Sequence, residues 1–203
     1  MSISPWRWSC VALLLATLGC QSSPPESPSV QSPRDEASEI AWANEVDLLP
    51  SVLIQVEEQD LCDGFFDPEV AAMESQVYLL GDRALVEVLC ARAAYQMVYA
   101  YGVLSPDGTL TPLPLDGFYP DQAGNFQRVS ELTVGGLASF DPGQGQLTIF
   151  SKARGLGDCG SFATYGWTGA ALALETYRYQ ACDDDPNAVE TAPDPEDFPQ
   201  VYP

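Results

Sequence analysis

A chain of 203 residues that holds 29 acids against eight Lys and Arg, with no histidine, has a formal charge of −21. Such a surface repels nucleic-acid phosphates and anionic headgroups, which excludes nucleic-acid binding and electrostatic attachment to a membrane. It also offers no imidazole as a general base or as a zinc ligand.

Arg7 precedes an apolar run, Val11 to Leu18, that is too short to span a bilayer and reads as the core of a signal peptide over residues 1–19. The run ends in Leu18-Gly19-Cys20, which resembles the lipobox of bacterial lipoproteins. That resemblance implies cleavage before Cys20 and lipidation of its thiol. The expectation is a lipid-anchored, extracytoplasmic protein of the bacterial cell envelope, on its periplasmic side. Ordinary secretory cleavage, with Cys20 left as a spare thiol, is the alternative. Cleavage removes Arg7 and no acid, so the charge becomes −22. Residues 20–39 are rich in Ser and Pro and cannot bury enough apolar surface to offset their ordering entropy, which predicts a tether. Residues 40–203 remain as one domain with a single core and an acidic tail.

Cys10 leaves with the signal peptide, and Cys62, Cys90, Cys159 and Cys182 stay in the domain. Four cysteines outside the cytoplasm read as two disulfides with three connectivities open, of which the sequence-local pairs Cys62–Cys90 and Cys159–Cys182 are expected. A zinc site competes with this reading but lacks histidine and a close Cys-x-x-Cys pair, so no metal is expected.

Ile40, Trp42, Val46, Leu49, Leu53 and Val56 recur at helical spacing. Pro50 interrupts the pattern and would suit the first turn of a second, short helix. Another helical turn is expected over Pro68–Ser75, with Asp67 as cap and Pro68 in the first position. From Gln76 the texture is that of strands: Gln76–Leu80, Ala84–Cys90, Ala93–Leu104 and Thr109–Leu115. The breaks between them are Gly81-Asp82-Arg83 and Ser105-Pro-Asp-Gly108. Residues 116–129, with Gly117, Pro120 and Gly124, read as a long irregular connection. Leu132–Leu137 reads as a strand weakened by Gly135-Gly136. Strands over Gln146–Ala153, Ser161–Trp167 and Ala171–Cys182 follow, and the aromatic end of the tail is expected to pack back onto the domain. The fold class is therefore mainly β, with antiparallel strands in one disulfide-stapled domain and a minor N-terminal helix.

Lys152-Ala-Arg-Gly-Leu-Gly-Asp-Cys-Gly160, then Trp167-Thr-Gly169 and the strand to Cys182, resemble the C-terminal part of the DUF1176 family. That family's pattern is close to K-x-R-G-L-G-D-C-G, W-x-W-x-G and a cysteine-ended strand. Cys90-Ala-Arg-Ala-Ala-Tyr-Gln96 resembles its C-x-x-G-A-Y-N segment, and Phe198-Pro199 stands where it tends to have W-P. This chain departs from the pattern at Ala93, Gln96, Tyr165 and Phe198. The resemblance implies a secreted or periplasmic β fold and supplies no activity.

By alternation Thr148, Phe150, Lys152 and Arg154 share a strand face beside the glycine loop. Lys152, Arg154, Gly155, Gly157 and Asp158 thus form a candidate anion- or partner-binding site, with loop N–H groups and two cations as its cup. Ion pairs from Lys152 and Arg154 to acids such as Asp158 or Glu175 are the structural alternative, with Asp158 bonding loop N–H groups. Tyr95, Tyr99 and Tyr101 read as a core stripe rather than a ligand platform. No nucleophile, cofactor or catalytic residue is evident, and Asp183-Asp-Asp185 lacks the spacing of a calcium loop. The expected function is a non-catalytic binding module of the envelope, acidic enough to suit a basic envelope protein as partner. A structural accessory lipoprotein and a carboxylate-based hydrolase are the alternatives.

Overall fold

The computed structural model describes residues 45–183 and 192–203, all within the second of the two units into which the chain divides, Pro33–Pro203. The expected signal peptide, Cys20, the tether, Ile40 and Trp42 lie outside the described residues, as do Asp184 and Asp185.

Helix α1 spans Glu45–Glu58 and runs through Pro50 without restarting, contrary to the expectation of a second helix there. Pro50 stands near the N-terminal end, where it forfeits one backbone bond. Val52 and Val56 are fully buried, with Leu49 and Leu53 packed beside them, and this helical stripe carries the element past the proline. Helix α2, Pro68–Glu74, starts as expected: the Asp67 carboxylate accepts from the backbone N–H of Glu69 and Val70. Among the described residues no helix is long and apolar enough to cross a membrane.

Among the described residues the strands are β1 Gln76–Leu80, β2 Arg83–Arg92, β3 Met97–Leu104, β4 Leu110–Pro112, β5 Leu115–Pro120 and β6 Phe126–Glu131, then β7 Thr133–Asp141, β8 Gln146–Lys152, β9 Gly160–Trp167, β10 Leu172–Gln180 and β11 Gln200–Tyr202. All pairings are antiparallel, in the order β1-β2-β3-β7-β8-β9-β10-β11, with β4 also on β3. The fold is mainly β, as expected. The connection expected to be irregular is instead a separate hairpin, β5–β6, turned by Asp121, whose carboxylate accepts from the N–H of Ala123 and Asn125. Gly117 and Pro120 lie within β5, while Gly124, at φ +84°, serves the Asp-led turn that the flanking Phe118-Tyr119 and Phe126 could have signalled. The tail does pack back, since β11 pairs with β10 and Phe198 is buried.

β2 is buried along almost its whole length because both of its faces are covered. Ala84, Val86, Val88 and Cys90 face the helices in one cluster with Val52, Val56, Leu61 and Cys62. Leu85 faces a second cluster that includes Tyr101, Phe140, Leu147, Ile149 and Tyr177. Both expected disulfides are present, Cys62–Cys90 and Cys159–Cys182. They span 28 and 23 positions, loops for which the chain-entropy account gives on the order of 3 kcal/mol each.

The alternation that buries Leu85 also buries Glu87, directly opposite Tyr101 in the ladder, whose hydroxyl donates to the carboxylate at 3.0 Å. Burial raises the Glu87 pKa above its ordinary value, against a smaller lowering from Tyr101. Burial and the Glu87 charge also push Tyr78 up to about 12 and raise Tyr99 and Tyr101. A raised carboxyl keeps its proton in the folded chain after the unfolded chain has released it. Stability therefore falls as pH rises from the unfolded value, and the loss is complete above the folded one. Glu87→Gln can still accept from Tyr101 and removes the charge. It is expected to raise Tm at pH 7 and to match wild type below about pH 4, where the unfolded carboxyl is also protonated. Melting curves from pH 3 to 8 check this, and equal pH slopes for the two proteins would contradict it.

Candidate functional site

After Lys152 the chain leaves β8, turns with a Gly157 N–H to Arg154 carbonyl bond of 3.0 Å, and enters β9 at Gly160. Gly160 has φ +138°, and a Cβ there would lie 2.1 Å from the Ser151 carbonyl oxygen, so no other residue fits. The main partner of the buried Asp158 carboxylate is an arginine, and the backbone N–H of Asp158 itself contributes less. Arg154 binds it in a fork, Nε to Oδ1 at 2.9 Å and Nη2 to Oδ2, and also donates to the Asp183 carbonyl at 3.2 Å. The Arg154 guanidinium holds the Asp158 carboxyl below the usual range. The structure thus brings Arg154 and Asp158 together as an ion pair that ties the loop to the chain beyond Cys182. Glu175 lies elsewhere, accepting from Gln146 at 3.4 Å.

Gly155 lies under the Tyr95 ring, whose hydroxyl donates to the Ala153 carbonyl at 3.3 Å. Gly157 lies near the side chains of Lys152 and Phe150. Of the tyrosine stripe, Tyr101 is buried, Tyr99 half-buried and Tyr95 exposed. The two segments that carry the family resemblance meet here, because the Lys152 N–H donates to Gln96 Oε1 at 3.0 Å. Phe198 joins them from the tail, edge-on to Phe150 at 5.9 Å.

Lys152 parts company with Arg154. It is the chain's one lysine, and among the described residues no carboxylate lies within ion-pair distance of it. Its side chain lies along Phe150 and Gly157, with the ammonium 6.0 Å from the Phe150 ring centroid, while its backbone borders a cleft of about 460 Å³ between the β5–β6 hairpin and the sheet, in the size range of ligand sites. Gly117 and Tyr119 of the hairpin form one wall, with Tyr165, Tyr177 and Tyr179 of β9 and β10 opposite. Thr133 to Gly135, Ser151 to Ala153 and Gln96 complete the lining.

The hydroxyls are directed. Tyr165 donates to the Asp116 carbonyl at 2.9 Å, Tyr119 donates to Glu131, and Tyr177 reaches Ser161 and the backbone of Phe118. Burial raises the pKa of all three, and for Tyr119 the Glu131 carboxylate adds to the rise, so each is held as a neutral phenol. Glu131 is the one carboxylate in the lining. Such a wall can stack a planar group and exchange hydrogen bonds, and it has no pair of facing acids. Among the described residues no group of three or more Cys, Asp or Glu is placed to hold a metal ion.

Sequence reasoning reached Lys152 and the loop but not the opposite wall. The signal was the alternation Gly117/Tyr119 and Tyr177/Tyr179, hidden in the first case because the hairpin was taken as irregular. Arg154→Ala would strand a buried carboxylate, so it is expected to lower Tm more than Arg154→Ala/Asp158→Asn does. Because Asp158 is depressed, the stabilisation is present above the unfolded Asp pKa and lost as pH falls toward the folded one. Thermal melts of wild type, both single variants and the double variant check the order.

A family model described as "Protein of unknown function (DUF1176)" matches residues 20–186. No curated protein and no solved structure matches.

Proposed function

The chain belongs to the DUF1176 family of unknown function, and from that premise we propose that it is a lipid-anchored, extracytoplasmic, non-catalytic binding module that takes its ligand in the tyrosine-walled cleft. The observation that carries this reading is the cleft itself, of ligand size and walled by neutral, hydrogen-bonded tyrosines from the hairpin and from β9 and β10. The directed phenols favour binding over acid–base work, since raised pKa values keep them from acting as bases near neutral pH. The charge of −21 supports a basic envelope protein as the source of the ligand, because it would speed encounter without entering the cleft.

The anchor rests on Leu18-Gly19-Cys20 following the short apolar run. Mass spectrometry of the N-terminal peptide is expected to find Cys20 acylated, and Cys20→Ser to move the protein from the membrane to the soluble fraction. Membrane retention of that variant would refute lipid attachment.

Gly117 supplies a way to close the cleft. The atoms nearest to a Cβ there belong to Tyr177 and Tyr119, at 3.6 to 3.9 Å, so Gly117→Leu would direct its side chain at the tyrosines that line the cleft. The full chain is expected to retain a basic protein from envelope extract at low salt and lose it at high salt. Gly117→Leu should lose it at both, with Tm within a few degrees of wild type. Absence of any retained protein at either salt would favour the structural accessory reading. Retention unchanged by Gly117→Leu would move the binding surface away from the cleft.

A further inference from the structure

Helix α1 is apolar well beyond the stripe that rests on the sheet. At about 100° per residue, Leu49 and Leu53 flank the buried Val52 and Val56, and Pro50 and Ile54 carry the apolar arc on to the exposed side. Between that side and α2 lies a groove of about 410 Å³. Leu49, Leu53 and Phe66 form its floor, since they pack on the core beneath, while Pro50, Ile54, Pro68 and Ala72 are exposed. Ile54 leaves 59% of its surface open, and Glu57 is the one polar side chain in the lining. The groove shares no residue with the tyrosine-walled cleft.

Contacts outside the groove fix both helices. Gln55 donates to the Gly108 carbonyl and accepts from the Leu110 N–H, each at 2.9 Å, and Gln59 donates to the Leu110 carbonyl at 3.2 Å. Glu74 joins α2 to Arg92 of β2, and Cys62–Cys90 ties the connection between the helices to the sheet. A guest therefore meets a surface already in place.

Charge decides between the possible occupants. Residues 45–75, which build both helices and their connection, hold nine acids and no lysine or arginine. Among the described residues Glu57, Glu58 and Glu69 have no cation within ion-pair distance. Glu57 and Glu58 fall in the last turn of α1, where negative charge opposes the helix dipole and no basic residue offsets it. A second copy brings the same −21 and is repelled. Residues 20–44 carry four acids against one arginine, so the chain's own preceding segment is disfavoured too. A cationic guest is attracted. Along α1 the groove runs from Leu49 to Glu57, about 12 Å, which matches about two turns of a guest helix. We infer that this groove docks an amphipathic helix of a partner protein, with its apolar face on Ile54 and the floor and its flanking Lys or Arg side chains against Glu57 and the neighbouring acids. This is a second surface, independent of the ligand cleft.

The test uses the full chain carrying Cys20→Ser, so that no acyl group takes part. The probe is a fluorescent Leu/Lys peptide of about 18 residues with its leucines on one helical face, long enough to fold when bound. A scrambled peptide of the same composition and a Leu/Glu peptide of the same pattern are the controls. The patterned cationic peptide is expected to bind about tenfold or more tightly than the scrambled one, gaining helical circular dichroism, and the Leu/Glu peptide is expected not to bind. Ile54→Ser leaves the charge unchanged and should weaken binding about tenfold, the effect of one large apolar side chain. Glu57→Gln should weaken binding and its salt dependence without lowering Tm. Gly117→Leu should bind the peptide as wild type does, which keeps this test separate from that of the cleft. Equal binding of the scrambled peptide, or no change in Ile54→Ser, would overturn the groove as the docking surface. Binding of the Leu/Glu peptide would overturn the cationic guest. Three further results would each give the groove another occupant and overturn the inference: flotation with phosphatidylcholine vesicles that Ile54→Ser abolishes, dimerisation that Ile54→Ser abolishes, or tighter peptide binding in Trp42→Ser.

Discussion

The structure depends on one strand changing partners. β7 spends its first residues on β3 and its later ones on β8, and this hand-over joins the helix-covered part of the sheet to the part that carries the glycine loop. The change happens at Gly135 and Gly136. A Cβ on Gly136 would sit 2.6 Å from Ile149 Cγ2 and 3.0 Å from the Phe150 carbonyl, so the crossing needs bare backbone. The two apolar clusters follow from it: one under α1 and α2, the other between the far face of β2 and β3 and strands β7 to β10. The cleft follows as well, because two strands that part must leave edges behind.

Much of this was legible in the sequence wherever local chemistry decided the outcome. Asp67-Pro68 started a helix, the Gly81-Asp82-Arg83 break and the alternation of β3 marked strands, and the near cysteines paired, because each depends on neighbours in sequence. The Gly135-Gly136 pair was visible but read as weakness, since its reason lies in Ile149 and Phe150, strands away along the chain. The β5–β6 hairpin was missed for a related cause. Its strands are half exposed or wholly exposed and show no buried alternation, being held by their turn and by contacts such as Phe118 with Tyr177 and Tyr202. Half of the cleft was therefore out of reach of periodicity.

The candidate site divided along the same line. Lys152 and Arg154 looked equivalent as two cations flanking one alanine. The fold separates them, because Arg154 lies past the strand end where the turn brings Asp158 back within four residues. Its fork matches a carboxylate in geometry, and Asp158 is buried by the disulfide beside it, so the pair is a fixed part of the loop. Lys152, still within the strand, lays its side chain along Phe150 and Gly157 instead. A charge count along the sequence could not make that distinction; the end of one strand could.

The same physics explains why the segments that resemble one family converge. Cys90 is anchored to Cys62, its carbonyl accepts from the Asp67 N–H at 2.7 Å, and the strand shifts register beside it. The chain then turns, with Ala93 N–H bonded to the Gln96 carbonyl at 2.9 Å, and this aims Tyr95 and Gln96 at the loop. Tyr95 holds Ala153 and Gln96 holds Lys152 from one side, while Phe198 packs against Phe150. Every one of these contacts fixes the position of backbone around Lys152, and none supplies a nucleophile or a second carboxylate. The Cys159–Cys182 disulfide, the returned tail and the Arg154–Asp158 pair thus fix the loop and the strand end beside it as one unit.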